Sequence, residues 1–165
     1  MLYNPKKMNE EMELEYLSER QLENYMNLNP YYSKVVYLNL HPKGLAVGDC
    51  AKRAIALGLD KPYKEISLAL NRHKKITGAK KYYLRNNIID FLNSLPNLEK
   101  ISFPAEKGKR RMTGNKFCEA YPKGRYILNM AHHLTCAVDG YIFDTWDCGK
   151  KCVYTAYKVE NNEQN

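Results

Sequence analysis

The dipeptide Asp139-Gly140, set between the β-rich runs His133–Val138 and Tyr141–Thr145, constrains the fold of this chain more than any other feature. A two-residue connection between strands takes a type I′ turn, which needs positive φ at both positions, and Asp-Gly meets that demand. The turn fixes a register in which Val138 opposes Tyr141 and successive partners keep a residue-number sum of 279. His133 then lies opposite Trp146. Asp144 is its diagonal neighbour on the same face, about 7–8 Å away between backbones and within reach of an imidazole. Placed so, Asp144 orients His133 and fixes its tautomer, and the other ring nitrogen is left for a thiol.

The same register sets His132 opposite Asp147 on the other face, a competing His–Asp couple. Alternation groups Leu134, Cys136, Val138, Tyr141 and Phe143 with His132 as an apolar packing surface. His133 shares its face with the smaller Thr135 and Ala137, which leave room for a helix to approach. His133 is therefore read as catalytic and His132 as structural, although a one-residue slip would exchange the faces.

The thiol comes from Gly48-Asp49-Cys50-Ala51-Lys52-Arg53-Ala54-Ile55-Ala56-Leu57. Gly48 permits a sharp entry, Asp49 is a good N-cap, and the Ala/Ile/Leu run forms a helix ending at Gly58. Cys50 then sits near the first helical position, where unpaired N–H groups and the positive end of the dipole stabilise a thiolate and can receive an oxyanion. The competing reading is a small buried hydrophobe, the usual fate of a free cysteine.

Gly48-Asp49-Cys50 with Arg53-Ala54-Ile55, together with His133-Leu134-Thr135-x-Ala137-Val138-Asp139-Gly140-x-x-x-Asp144-Thr145-Trp146-Asp147, resembles a group of small papain-fold cysteine peptidase-like proteins of bacteria and their phages over residues 36–147. The resemblance implies an α+β papain-like fold, a helical N-terminal lobe packed on a C-terminal antiparallel sheet, and a triad of Cys50, His133 and Asp144. The resemblance names no substrate; with the triad it carries, the chain reads as a cysteine hydrolase, a peptidase or isopeptidase working by acyl transfer on a protein or peptide substrate, with no cofactor or metal expected. Papain-like enzymes usually place a Gln or Asn ahead of the nucleophile as a second oxyanion donor. This chain has no Gln there, and Asn39 is the nearest upstream amide. The implied organisation is an N-terminal acidic helix and linker over 1–34, a catalytic domain over 35–159 and a polar tail over 160–165.

The 165 residues suit a single domain, and 26 Lys+Arg against 18 Asp+Glu favour acidic partners. The loop Lys107-Gly108-Lys109-Arg110-Arg111 is the candidate contact, with Lys74-Lys75 and Lys80-Lys81 in support. No nucleic-acid motif accompanies these runs, so nucleic acid is not the favoured partner. A second functional reading follows from the charge: a phage or mobile-element protein on the same fold whose basic surface binds a host protein or nucleic acid without catalysis. Cysteines 50, 118, 136, 148 and 152 contain no Cys-x-x-Cys and read as free thiols. Cys148-x-x-x-Cys152, with Cys118 and one of the paired histidines, has a spacing zinc accepts but lacks a matching second pair. The N-terminus has no apolar core or cleavage site and no run approaches a membrane span, so the reading is cytoplasmic, in a reducing compartment.

Along the chain, residues 8–27 carry an acidic helical pattern, with Leu14, Leu17 and Tyr25 on its packing face. Val35-Val36-Tyr37-Leu38 is a short strand. A second helix starts at Pro62 and a third spans Lys80 to Ser94. Leu98 to Phe103 is a strand, residues 113–121 a short helix stopped by Pro122, and Arg125–Met130 and Lys151 to Val159 are further strands. Trp146 is placed to shield the His133–Asp144 bond or to fill the core.

Overall fold

The structure, a computed structural model, describes residues 33–161, and the helix expected over residues 8–27 lies outside them. Ten elements follow one another: β1 (Val35–Tyr37), α1 (Cys50–Leu59), α2 (Tyr63–Thr77), α3 (Arg85–Ser94), β2 (Leu98–Ser102), α4 (Gly114–Ala120), β3 (Arg125–Met130), β4 (His133–Val138), β5 (Tyr141–Asp144) and β6 (Val153–Val159). The chain is α+β, with four helices and one six-stranded mixed sheet of order β1-β5-β4-β3-β6-β2 among the described residues.

The Asp139-Gly140 hairpin forms in the expected register, Val138 opposite Tyr141, with φ 46° at Asp139 and 80° at Gly140. The Asp139 carboxylate also accepts from the Gly124 N–H at 2.9 Å, which pins the turn to the entrance of β3. The sheet is not purely antiparallel. β1 precedes the helices in sequence yet runs parallel to β5 at the sheet edge, where Lys34 O accepts from Ile142 N and Leu38 N donates to Asp144 O, both at 2.9 Å. Those bonds satisfy backbone groups that an edge strand would leave open. Nor do all the strands follow the helices, since β2 closes the opposite edge against β6.

Each face of the sheet carries its own core. On one, Ala51, Ala54 and Ile55 of α1, Ile66 and Leu70 of α2, and Ile88, Phe91 and Leu92 of α3 cover Ile127, Leu134 and Tyr157. On the other, Phe117 and Cys118 of α4 cover Tyr126, Leu128, Ala137, Ile142 and Ala156. Full burial of a residue such as Ile55 is worth about 1.5–3 kcal/mol over leaving it exposed. The helix bearing Cys50 therefore packs on the Leu134/Cys136 face, not on the Thr135/Ala137 face expected to receive it. Small residues at one side of α1 decide this. Gly58, expected to end the helix, is buried inside it against the Ile127 side chain and near Cys136 Sγ, and α1 stops instead at Asp60 in the left-handed region, φ 52°. The third helix begins at Arg85 and not at Lys80. Asn87 Nδ2 donates to Tyr82 O at 2.9 Å and holds the preceding residues in turns.

His132 also departs from expectation. It is exposed in the β3–β4 turn with φ 52°, ahead of a β4 that spans His133–Val138 as expected, so it lies on neither face of the strand and no His132–Asp147 couple exists. No helix among the described residues is long and apolar enough to cross a membrane.

Candidate active site

Cys50 is the first residue of α1 and is half-buried. Asp49 holds the N-cap position without capping. Its Oδ1 accepts from Arg53 Nε at 2.7 Å and its Oδ2 from the Tyr63 hydroxyl at 2.8 Å, so the carboxylate points along and across the helix. No side chain therefore occupies the N–H groups of the first turn beside the thiol, and these retain the capacity to receive negative charge.

β4 and β5 present the remaining groups. His133 Nε2 and Asp144 Oδ2 are 2.6 Å apart, and both residues are buried. Asp144 Oδ1 accepts from the Thr145 N–H at 2.7 Å and from Arg53 Nη1 at 3.1 Å. With Nε2 committed to the carboxylate, Nδ1 is the ring nitrogen that remains for Cys50, whose thiol also meets the Leu134 backbone N–H. Residues remote in sequence thus form the continuous chain Cys50, His133, Asp144, Arg53, Asp49.

Charge is distributed accordingly. Burial pushes the Cys50 thiol up, but hydrogen bonds from His133 and Leu134 and the charges of His133 and Arg53 outweigh it, leaving the thiol below its ordinary value of 9.0. Burial works against a charged His133. The bonds to Asp144, Cys148 and Cys50 and the Asp144 charge overcome it and push the imidazole up to about 11. Burial raises Asp144 too, yet the bond to His133, the His133 charge and the Thr145 N–H together outweigh it and hold the carboxyl well below the usual carboxylate range. The balance favours a thiolate–imidazolium pair beside a carboxylate.

Trp146 packs against the His133 ring with centroids 4.9 Å apart and the ring planes tilted by 59°, while remaining 43% exposed, so it flanks the imidazole at the surface and is no core residue. Asn39, the expected second oxyanion donor, closes its own loop: Nδ2 donates to Leu45 O at 3.1 Å and Oδ1 accepts from His41 N at 3.0 Å. Cys148 does not join Cys118 and Cys152. Its Sγ donates to Asp144 Oδ2 at 3.5 Å, and Cys152 Sγ faces Arg111 O. His133, Asp144 and Cys148 bring ligand atoms within 4.8 Å of one another and are hydrogen-bonded through Asp144 Oδ2. In the basic loop, Lys109 pairs with Glu106, Arg110 donates to Lys150 O and Arg111 to Phe103 O.

Sequence reading missed the structural parts played by Arg53, Tyr63 and Cys148. Arg53 at four residues beyond Asp49 was a legible signal for their ion pair. Nothing local foretold its second bond, to Asp144.

Compared with family models, curated proteins and solved structures, the chain gives no match.

Proposed function

We propose that the chain is a cysteine hydrolase of papain-like fold, a peptidase or isopeptidase acting by acyl transfer. The observation that carries this reading is the contact of Cys50, at an uncapped helix start, with a His133 whose far nitrogen is bonded to Asp144. The Cys50 thiolate attacks the substrate carbonyl, and the first-turn N–H groups of α1, that of Cys50 foremost, receive the oxyanion. The His133 imidazolium protonates the leaving amine as the C–N bond breaks. Neutral His133 then takes a proton from water, whose oxygen attacks the thioester and releases the acid and the thiol. An amine in place of water would make the same centre a transferase. Asp144 keeps Nδ1 of His133 turned to the thiol throughout.

Alkylation of Cys50 by iodoacetamide, followed by peptide mapping, tests the pair. Labelling that stays fast below pH 8 and falls at least about tenfold in His133→Ala supports it. An ordinary thiol profile unchanged by the substitution overturns it.

The formal net charge of +8 favours a second reading, a binding protein of phage or mobile-element type whose basic face engages an acidic partner. Lys75, Lys80, Lys81 and Lys107 are exposed and form no ion pair among the described residues, so their charges are open to such a partner. Retention of biological function in Cys50→Ser, with loss on replacing those lysines, would favour it.

A further inference from the structure

We propose that the cavity between α3 and strands β2, β3 and β6 is a carboxylate-binding subsite of the Cys50 centre, selecting acidic peptide substrates. The inference rests on the hydrolase reading and adds a substrate class to it.

The cavity holds about 350 Å³, room for a side chain and adjoining backbone, and is lined by Arg85, Lys100, Asn129, Thr155, Tyr157 and Asp90, among others. Its position follows from the register. Asn129 is directly opposite Leu134, whose backbone N–H meets the Cys50 thiol, and Thr155 is opposite Asn129 on the next strand. Paired Cα atoms lie about 4.5–5.5 Å apart, so the cavity starts one strand away from the thiol. Leu134 and Tyr157 belong to the core beneath α1 and α3, which puts cavity and nucleophile on the same face of the sheet.

Its chemistry is that of an anion site. Asn129 is 7% exposed as a residue and its side-chain amide bonds no other described residue; Thr135 Oγ1 is the buried side-chain polar atom left unpaired among the described residues, so the Asn129 amide reaches solvent and can exchange water for a ligand. A ligand in the cavity would complete it. Arg85 and Lys100 bring two positive charges that no carboxylate neutralises among the described residues. The one acid in the lining, Asp90, hydrogen-bonds His73 at 2.6 Å and keeps its negative charge, so the two cations outnumber it but do not stand alone. Arg85 and Asn86 also open α3, which has no side-chain cap, so the dipole adds to the same sign. An arginine with amide and hydroxyl donors matches a carboxylate better than it matches a neutral or basic group.

The experiment uses the full chain at low ionic strength, where exposed charges are least screened. Cys50→Ser is titrated by fluorescence anisotropy with labelled peptide amides that differ only in a central Glu, Gln or Lys, and with a Leu peptide bearing a free C-terminal carboxylate. The Glu peptide should bind about tenfold more tightly than the Gln peptide. Arg85→Glu with Lys100→Glu should turn the preference to Lys, a gain that misfolding cannot mimic. Discrimination by the free-terminus peptide instead would assign the carboxylate to a chain end. Equal binding of Glu and Gln peptides, or a preference that survives the double reversal, overturns the subsite. In the wild type, peptidyl vinyl sulfones with Glu or Gln beside the warhead should label Cys50 in the same ratio, and equal rates would break the link between cavity and thiol. A failed iodoacetamide test sinks the hydrolase reading alone, because the anisotropy measurement does not need a reactive thiol.

Discussion

Arg53 binds the oxygen of Asp144 that His133 leaves free: Nη1 lies 3.1 Å from Oδ1, while His133 Nε2 lies 2.6 Å from Oδ2. The same guanidinium holds Asp49 through Nε, so one cation from α1 ties the helix start to the end of β5. Planar, forked geometry makes this possible, and an ammonium cannot reproduce it.

Arg53→Ala would take the cation from two carboxylates that are only 3% and 2% exposed, Asp49 and Asp144, leaving Asp49 with the Tyr63 hydroxyl alone while Asp144 keeps His133 and the Thr145 N–H. A loss of about 3–5 kcal/mol is expected, the range for breaking a buried ion pair. Arg53→Lys should lose less, since it retains the charge but reaches one carboxylate. Urea unfolding measures both, and a loss under 1 kcal/mol in the alanine variant would contradict the role given to the guanidinium.

Asp144→Asn should lower the imidazole from its raised value and so bring the Cys50 thiol back toward 9.0, because the charge that holds His133 protonated is gone. Alkylation at pH 6 then falls, while alkylation at pH 10, where a thiol of ordinary value is ionised, changes little. Rate profiles for the two proteins that superimpose would exclude Asp144 from the pair.

Linkage acts in opposite directions on the two members of the pair. The raised His133 imidazole stabilises the fold in full below pH 6.5, and that share is lost as pH rises from 6.5 to about 11. The lowered Cys50 thiol adds a share that is present in full above 9.0 and is lost as pH falls through its folded value, so below 9.0 it offsets part of the His133 decline. Cys50→Ser removes that offset, so stability should fall more steeply between 6.5 and 9.0 than in the wild type. Urea midpoints across this range would show the steeper fall, and parallel profiles for the two proteins would refute it.

Native-state labelling should select among the five thiols. Burial pushes Cys118 and Cys136 up to about 12, and Cys148 is raised as well, while Cys50 and Cys152 are half-buried. Brief iodoacetamide treatment followed by peptide mapping should modify Cys50 first and leave 118, 136 and 148 intact. All five should react in urea.

Gly58→Ala would force a Cβ into Ile127 across the α1–β3 contact. Overpacking costs about 1–3 kcal/mol, against about 1 kcal/mol gained in helix propensity. A net loss is expected, and an increase in thermal midpoint would show that Ile127 yields freely.

The hairpin, the pairing of Val138 with Tyr141 and the placement of Cys50 at the start of α1 were determined by sequence alone, because turn chemistry and helix entry act within a few residues. The common face of His133 and Asp144 followed from alternation along each strand, although the β4–β5 ladder itself ends at Cys136 and Phe143. Tertiary structure decided the rest. β1 became a parallel edge strand because β5 had backbone groups to satisfy, a demand invisible in Val35–Tyr37 itself. α1 took the Leu134/Cys136 face because Gly58 lets it approach Ile127 closely, and no periodicity reveals which side of a sheet a helix will cover. His132 fell in the turn once Met130 paired with His133. Asp49 forsook its cap for Arg53 and Tyr63 because a buried cation and hydroxyl bind a carboxylate more strongly than helix N–H groups do. Local rules position atoms along the chain; which distant charges meet depends on packing of the whole sheet.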